Sequence, residues 1–330
     1  MATLLVHCAP SAKNTFQVQI NCSGHNGVLE MKPMIGDVWS VGSNYVVDVS
    51  ANLGGAGGVV LYPWFLKQRG AYTYIRNVWS PQLQNSRDLV VYLPPSYWEN
   101  GLRPNYVTLL MHDGQNLFNS STAFGGTAWK CQYTLDVQIV EGNMEEIIVV
   151  GVYNTPDRLA EYTYSADPEY GGGKGDIYLN FLRDTVLPKV KSSGYPISTD
   201  ASQLGILGSS LGGLISCYAG WTRPKEYSLS GCMSSSFWWN NQDFTNAVMV
   251  QHQVPSKETF YLDSGDSGDS QDGMLQTITV RDHMQQDGFS MNNNIFYYLD
   301  KGASHNEYYW GRRFWIPMMK LFPPRVIVPQ

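Results

Sequence analysis

The chain has 330 residues, of which 43% are hydrophobic and only 15% are charged, and its formal net charge is −6. This length is sufficient for a large core, and for one large domain together with a small one. The acidic balance, without a basic cluster, gives no electrostatic basis for nucleic-acid binding, and no apolar run reaches the roughly 18 residues that a membrane-spanning helix needs.

Residues 1–69 have the pattern of a β-structure. Short runs rich in β-branched and aromatic residues alternate with clusters of turn-forming residues, and no helical period is present. The runs lie at 3–8, 16–21, 45–49 and 59–65. We therefore predict a small β-sandwich domain at 1–69. We expect its aromatic residues Trp39, Tyr62 and Trp64 to pack the core or a domain interface, and stacking on sugars is the alternative.

From residue 70 onward, strands alternate with helices. The hydrophobic pattern predicts a hairpin at 72–79 and 87–93, buried strands at 106–111 and 147–152, and a helix at 175–190. It continues with a strand at 203–208, a helix at 211–220, strands at 227–233 and 259–262, a helix at 274–286 and a strand at 294–299. This alternation is typical of an α/β fold with a doubly wound, mostly parallel sheet, which we assign to a domain at 70–330.

The most informative motif is a single Gly-x-Ser-x-Gly at residues 208–212, with Ser210 at its centre. A predicted strand leads into the motif and a predicted helix leads out of it, which is the context of a nucleophile elbow. Glycines two positions before and after the serine let the strand and the helix approach closely. The motif therefore predicts Ser210 as a catalytic nucleophile.

A catalytic histidine is expected after the last strand of such a sheet, in the chain order serine, acid, histidine. Of the six histidines, three precede the motif, His252 lies in a polar segment with no strand before it, and His283 lies inside the helix predicted at 274–286. His305 follows the strand at 294–299 through a loop that contains Gly302. We therefore predict His305 as the general base.

The acid is expected in the loop after the strand at 259–262, where aspartates recur at every third position: Asp263, Asp266, Asp269 and Asp272. An EF-hand loop has its first ligands at alternate positions, so aspartates at every third position exclude that kind of calcium loop. A calcium loop of another kind stays an alternative. Asp263 ends the strand and is expected to be structural. Asp272 directly precedes a helix, whose N-terminal dipole favours a carboxylate, so we predict Asp272, then Asp269, then Asp266.

These residues define a mechanism of acyl transfer without a cofactor or a metal ion. Ser210 attacks an acyl carbonyl, His305 moves the proton, and the aspartate orients the imidazole. The oxyanion is expected to bind the backbone N–H of Leu211 and that of Gly114 or Gln115, in the loop after the strand at 106–111. The five cysteines have no zinc-ligand spacing.

Seven segments together resemble a known family. They are RDLVVYLPPSY (87–97), MHDGQNLF (111–118), NTPDRLAEY (154–162), GSSLGG (208–213), SFWW (236–239), YLDSG (261–265) and HNEYYW (305–310). Over roughly residues 70–320 the chain is similar to the esterase D and enterochelin-esterase-like branch of the α/β-hydrolases, which includes feruloyl esterases and mycolyl transferases. The resemblance implies an α/β-hydrolase fold with the nucleophile on Ser210 and the histidine on His305. The chain departs from the family by having Ser234-Ser-Ser236 where relatives often have Ser-Pro-Ser, and by a longer loop before Asp272.

The leading hypothesis is a serine carboxylesterase that acts on a small-molecule or glycan-linked ester. An acyltransferase with the same triad and a non-catalytic binding protein on a hydrolase fold are the alternatives. Trp238, Trp239 and Trp310 either line a substrate pocket or pack the core. The first residues lack the features of a signal peptide, while Asn21 and Asn119 lie in glycosylation sequons, so the compartment stays open. The oligomeric state stays open as well.

Overall fold

The computed structural model describes residues 27–50, 59–66, 69–250 and 258–328. The predicted strands at 3–8 and 16–21 lie outside the described residues, as do Asn21, Cys8 and Cys22. The chain divides into two compact units. The smaller consists of Met1–Lys32, Asn44–Leu61 and Arg325–Gln330, and the larger of Pro33–Ser43 and Tyr62–Pro324.

The strands, in chain order, are β1 (Val28–Met31), β2 (Met34–Ile35), β3 (Val38–Trp39), β4 (Tyr45–Asp48), β5 (Ala71–Ser80), β6 (Asn85–Leu93), β7 (Val107–Met111), β8 (Ile147–Val152), β9 (Ala166–Asp167), β10 (Gly171–Gly172), β11 (Leu204–Ser209), β12 (Leu229–Met233), β13 (Thr259–Gly265), β14 (Ile295–Asp300) and β15 (Val326–Ile327). The helices are α1 (Cys131–Val140), α2 (Arg158–Glu161), α3 (Gly175–Phe181), α4 (Leu187–Ser192), α5 (Leu211–Thr222), α6 (Trp239–Asp243), α7 (Met274–Gln286), α8 (Glu307–Arg313) and α9 (Trp315–Leu321).

The smaller unit holds a three-stranded sheet in the order β1-β4-β15. β4 pairs antiparallel with β1 and parallel with β15, which comes from the other end of the chain. The strand predicted at 45–49 is confirmed by β4, whereas the strand predicted at 59–65 is wrong, because residues 59–66 contain none. Pro63 has no N–H to donate to a ladder, which opposes a strand there. The β-sandwich at 1–69 and its boundary stay a prediction.

The larger unit is built on an eight-stranded sheet in the order β14-β13-β12-β11-β7-β8-β6-β5. β7, β8 and β11 to β14 run parallel to their neighbours within this set. β6 is antiparallel to β8, and β5 pairs with β6 as the predicted hairpin. The predicted doubly wound, mostly parallel sheet is therefore confirmed.

Helices cover both faces of this sheet. Neighbouring residues of a strand point to opposite faces, so they pack against different helices. Leu110 packs in a buried cluster with residues of α3, α5 and α7, whereas Leu109 packs in a second cluster with residues of α1 and α9. Each buried leucine of this kind stabilises the fold by about 1.5–3 kcal/mol. The result is the three-layered arrangement of an α/β-hydrolase.

The predicted helices at 211–220 and 274–286 are confirmed by α5 and α7. The helix predicted at 175–190 consists of α3 and α4, which are separated by a wider turn at Leu182–Val186. Pro188 lies just beyond this turn, and a proline without an N–H interrupts a regular helical ladder.

Five helices, α1, α2, α6, α8 and α9, were not predicted. In α1 the polar Asp136 lies on the buried side, where its carboxylate accepts hydrogen bonds from Gly70 N and Tyr92 OH, both at 2.8 Å. A polar residue at a core position hides the hydrophobic period from which a helix is recognised. In α9 the internal Pro317 argues against a helix in the sequence.

Candidate active site

The sheet brings the loops that carry the predicted residues to one edge. In the parallel registers Ser209 pairs with Met233, Met233 with Asp263, and Gly265 with Asp300. Because parallel strands end at the same edge, the segments that follow β11 to β14 emerge side by side. This is the edge at which open α/β sheets bind their ligands.

Ser210 stands at the turn between β11 and α5 with φ 59° and ψ −125°. A non-glycine residue at positive φ is strained, and such strain is concentrated at functional positions. A Cβ on Gly208 would lie 2.8 Å from both Gly212 C and His112 Cδ2, so this position has room only for glycine. The turn has the geometry of a nucleophile elbow.

Asp272 and His305, the predicted acid and the predicted histidine, are in direct contact. Asp272 Oδ1 lies 2.5 Å from His305 Nδ1, and the aspartate side chain is fully buried while that of the histidine is 41% exposed. Asp272 Oδ2 accepts hydrogen bonds from Ser234 Oγ and the backbone N–H of Gly265, both at 2.5 Å. Burial raises the pKa of Asp272, but the hydrogen bonds from His305, Ser234 and Gly265 together hold it below its usual value.

The other aspartates of the series have different partners. Asp263 forms an ion pair of 2.8 Å with Arg313, and Asp266 Oδ1 accepts a hydrogen bond of 2.6 Å from the N–H of Gly302. Asp269 is exposed to solvent. Among the described residues, no group of three or more histidine, cysteine, aspartate or glutamate side chains is placed to hold a metal ion.

Ser210 is linked to this pair through the three serines 234–236. Ser210 Oγ lies 3.3 Å from Ser236 Oγ, and Ser236 N donates to Ser210 O over 3.0 Å. Ser234, two residues earlier, is the serine that donates to Asp272. Within the described part of the chain, the hydrogen bond of the Ser210 hydroxyl is to Ser236 and not to His305.

Two residues of the site, Ser234 and Arg313, were missed by the sequence reasoning. The buried Arg313 Nη2 donates to Ser234 Oγ over 2.6 Å and lies 3.7 Å from Asp272 Oδ2. Trp310 Nε1 donates to the same serine oxygen over 3.0 Å. No sequence signal identifies this arginine, because its partners come from three separate strand ends.

The loop that follows β7, residues 112–116, is the oxyanion loop of the prediction. Asp113 adopts left-handed φ 55° and ψ 46°, and a Cβ on Gly114 would lie 2.6 Å from Gly151 C. Arg158 donates to both carboxylate oxygens of Asp113, each over 2.8 Å, and so fixes the turn. The N–H groups of Leu211, Gly114 and Gln115 donate to no acceptor among the described residues, so the choice between Gly114 and Gln115 as the second oxyanion donor stays open.

His112, the first residue of the oxyanion loop, is buried against two tyrosines. Its Nδ1 lies 2.9 Å from Tyr178 OH, and its ring centroid lies 5.1 Å from that of Tyr162. Burial lowers the pKa of His112 from 6.5 to about 3, so its ring is neutral at physiological pH. These contacts give His112 a structural part in the turn.

The three candidate pocket tryptophans have different surroundings. Trp238 is 48% exposed, and its ring lies edge-on to Tyr170 at 6.5 Å. Trp239 is buried and donates from Nε1 to Ser165 O over 3.1 Å. Trp310 is buried edge-on to His305 at 4.9 Å. Core packing therefore accounts for Trp239 and Trp310, and a pocket role for any of the three stays a prediction.

Comparison with known families agrees with this fold. The family model Esterase, with the description "Putative esterase", matches residues 80–320. The chain belongs to the Esterase family.

No helix in the described ranges has the length and apolar character to cross a membrane.

Two curated proteins show the similarity in sequence. The uncharacterized protein YbbA of Bacillus subtilis (strain 168) is 24% identical over 241 residues, which are 69% of this chain and 90% of YbbA. The siderophore triacetylfusarinine C esterase of Aspergillus fumigatus is 33% identical over 106 residues, which are 30% of this chain and 35% of that esterase.

A solved structure shows the similarity in fold. The enterobactin esterase FES of Shigella flexneri superposes with a TM-score of 0.59 at 17% identity and covers 76% of this chain. This chain spans 59% of the length of that esterase. Membership of the Esterase family supports the hydrolysis of carboxylic esters.

Proposed function

We propose that the protein hydrolyses a carboxylic ester through a covalent acyl-enzyme on Ser210. The observation that carries this proposal is the hydrogen-bonded Asp272–His305 pair at the sheet edge that also holds the strained turn of Ser210. For catalysis, Ser210 Oγ turns from Ser236 toward His305 Nε2, a rotation about a single side-chain bond. Family membership supports the ester as the substrate class.

The proposed reaction has two halves. His305 Nε2 takes the proton of Ser210 as Oγ forms a bond to the acyl carbon. The carbonyl becomes an oxyanion that accepts hydrogen bonds from the N–H of Leu211 and from that of Gly114 or Gln115. The ester C–O bond then breaks, and His305 returns the proton to the leaving alcohol. In the second half His305 takes a proton from a water molecule, whose oxygen forms a bond to the acyl carbon. The bond between that carbon and Ser210 Oγ then breaks, His305 returns the proton to Ser210, and the acid is released.

Asp272 has the role of orienting and stabilising His305. Its Oδ1 fixes the tautomer in which Nδ1 carries the proton, and its negative charge stabilises the imidazolium that forms. The hydrogen bonds from Ser234 and Gly265 hold the other oxygen in place. The depressed pKa keeps the carboxylate ionised at neutral pH.

The proposed substrate is a small-molecule or glycan-linked ester. Two similar proteins are named as esterases of the siderophores triacetylfusarinine C and enterobactin, so siderophore esters belong among the first compounds to test. A panel of short acyl, long acyl, feruloyl, sugar acetate and siderophore esters covers the class. Added alcohols and sugars in the same assay detect acyl transfer, because a transferase would yield new esters in place of the free acid.

The nucleophile is tested with Ser210→Ala on this panel. We expect loss of hydrolysis, together with loss of labelling by a fluorophosphonate, which in the wild type attaches to the peptide that contains Ser210. His305→Ala should lose hydrolysis as well, and His283→Ala on α7 provides its matched control. Full hydrolysis by Ser210→Ala would overturn the mechanism.

The acid is tested with Asp272→Asn. Because an amide holds the wrong tautomer of His305, we expect kcat to fall by about three to four orders of magnitude. Asp269→Asn is the matched control, since Asp269 is exposed in the same loop, and Asp266→Asn is a second. The assignment is refuted by a large loss in a control variant with little loss in Asp272→Asn.

A further inference from the structure

Glu307 lies between the two loops that carry the proposed chemistry. It follows His305 by two residues and is the first residue of α8, where its side chain is half-buried. Its Oε1 accepts a hydrogen bond of 3.4 Å from Asn116 Nδ2 in the oxyanion loop. Asn116 is itself buried and fixed, since its Oδ1 accepts a hydrogen bond of 2.9 Å from Phe124 N.

Three other carboxylates of this edge each lie against a basic side chain. Asp113 is neutralised by Arg158, Asp263 by Arg313, and Asp272 is bonded to His305. Glu307 forms no ion pair with a basic side chain in the part of the chain that the structure describes. Its charge is therefore compensated only by hydrogen bonds from Asn116 and its own backbone N–H and by the electrostatic effects of His305 and Arg158.

A half-buried carboxylate that has hydrogen bonds but no cationic partner costs free energy. Burial and the charge of Asp113 raise the pKa of Glu307, and the hydrogen bond from its own backbone N–H and the charges of His305 and Arg158 oppose this rise without cancelling it. A positive group on a bound substrate would supply the missing partner. The net charge of −6 also favours the approach of cationic over anionic molecules.

We propose that Glu307 is a specificity-determining residue that binds a cationic group, such as an ammonium, on the alcohol portion of the ester. The alcohol portion is favoured because the leaving alcohol takes its proton from His305, two residues before Glu307. This inference rests on the proposed esterase function and names a substrate class within it.

Two variants distinguish recognition of charge by Glu307 from a purely structural role, in which its hydrogen bond to Asn116 only joins the two loops. Glu307→Gln keeps an oxygen that accepts from Asn116 Nδ2 but removes the charge, whereas Glu307→Ala removes both. Glu141→Gln is the matched control, because Glu141 is an exposed glutamate at the end of α1 and its substitution changes the net charge by the same amount.

The test compares two esters of the acyl group that the wild type accepts best in the panel. One is the choline ester and the other is its neutral isostere, the 3,3-dimethylbutyl ester. We expect kcat/KM to favour the choline ester by about two- to fivefold, the range for a partly exposed ion pair. Glu307→Gln should reduce this ratio to about one with little change on the neutral ester, and Glu141→Gln should keep it.

A second measurement needs no variant. The preference of the wild type for the choline ester should decrease as the salt concentration rises, because salt screens a partly exposed charge pair. Equal kcat/KM for the two esters in the wild type, or an unchanged ratio in Glu307→Gln, would overturn the inference while leaving the esterase mechanism intact. If no ester is hydrolysed in a Ser210-dependent way, the proposed function fails and this inference fails with it.

Discussion

At the scale of single residues, the proposed active site depends on side chains other than the three of the proposed triad. Ser234 is the centre of this support, since its hydroxyl donates to Asp272 and accepts from Trp310 and Arg313. Ser234 is held at φ 40° with its N–H directed at Asp263 Oδ1 over 3.0 Å. A charged carboxylate gains about 1.5–3 kcal/mol from such a hydrogen bond.

Ser234→Ala should therefore weaken the Asp272–His305 pair without removing it. Loss of one donor to the carboxylate raises the pKa at which the pair takes up a proton, so the acidic limb of kcat/KM should move to higher pH by about one unit. A pH profile measures this shift. Ser235→Ala is the control, because Ser235 Oγ is buried without a hydrogen-bond partner among the described residues. Equal shifts in both variants would contradict the role of Ser234.

At the scale of secondary-structure elements, the elbow requires close contact between β11 and α5. The backbone of Gly208 faces that of Gly212, and His112 fills the remaining space. The contact holds the first turn of α5, and with it the N–H of Leu211, directly behind Ser210. A side chain at position 208 would push the strand and the helix apart.

Gly208→Ala should lower the free energy of unfolding by about 1–3 kcal/mol, as expected for overpacking. It should also reduce kcat/KM far more than this loss of stability explains, because Ser210 and the oxyanion donor move together. Urea unfolding and kinetics measure the two effects. Gly101→Ala, at a site where an added Cβ meets nothing within 4 Å, should change neither. Activity retained by Gly208→Ala would show that the elbow tolerates separation.

At the scale of the whole molecule, the buried neutral His112 links the stability of the fold to pH. Its pKa is depressed to about 3 in the folded protein, against 6.5 as its ordinary value. The unfolded chain therefore binds a proton that the folded protein does not bind between these two values. The stabilising contribution is complete above about pH 6.5 and is lost as the pH falls toward 3.

Below the pKa of this histidine in the unfolded chain, each decrease of one pH unit should lower the free energy of unfolding by about 1.4 kcal/mol. This amount comes from His112 alone. His112→Gln removes the titrating group and should flatten the decrease between about pH 6 and 4 by that amount. Urea unfolding at a series of pH values measures the slope. His283→Gln controls for the loss of a histidine on the helix surface, and equal flattening in both variants would be inconsistent with the buried position of His112.

The sequence by itself determined the parts of this protein that local patterns encode. Continuous apolar runs specified the parallel strands, because a strand buried on both faces has no polar side. The Gly-x-Ser-x-Gly motif specified the turn at Ser210, since only glycines permit that close approach, and the chain order pointed to His305. The preference for Asp272 over Asp269 rested on its place before a helix, and Asp272 is the aspartate in contact with His305.

The tertiary structure decided what depends on residues far apart in the chain. The placement of Arg313 behind Asp272, of Asn116 beside Glu307 and of β15 next to β4 each joins distant segments, and no local period encodes such pairs. Helix α1 was hidden for the same reason, because its buried Asp136 is stabilised by partners on β6 and at Gly70. Local sequence sets which elements form, whereas packing between distant elements sets which polar groups are buried together and how their charges are balanced.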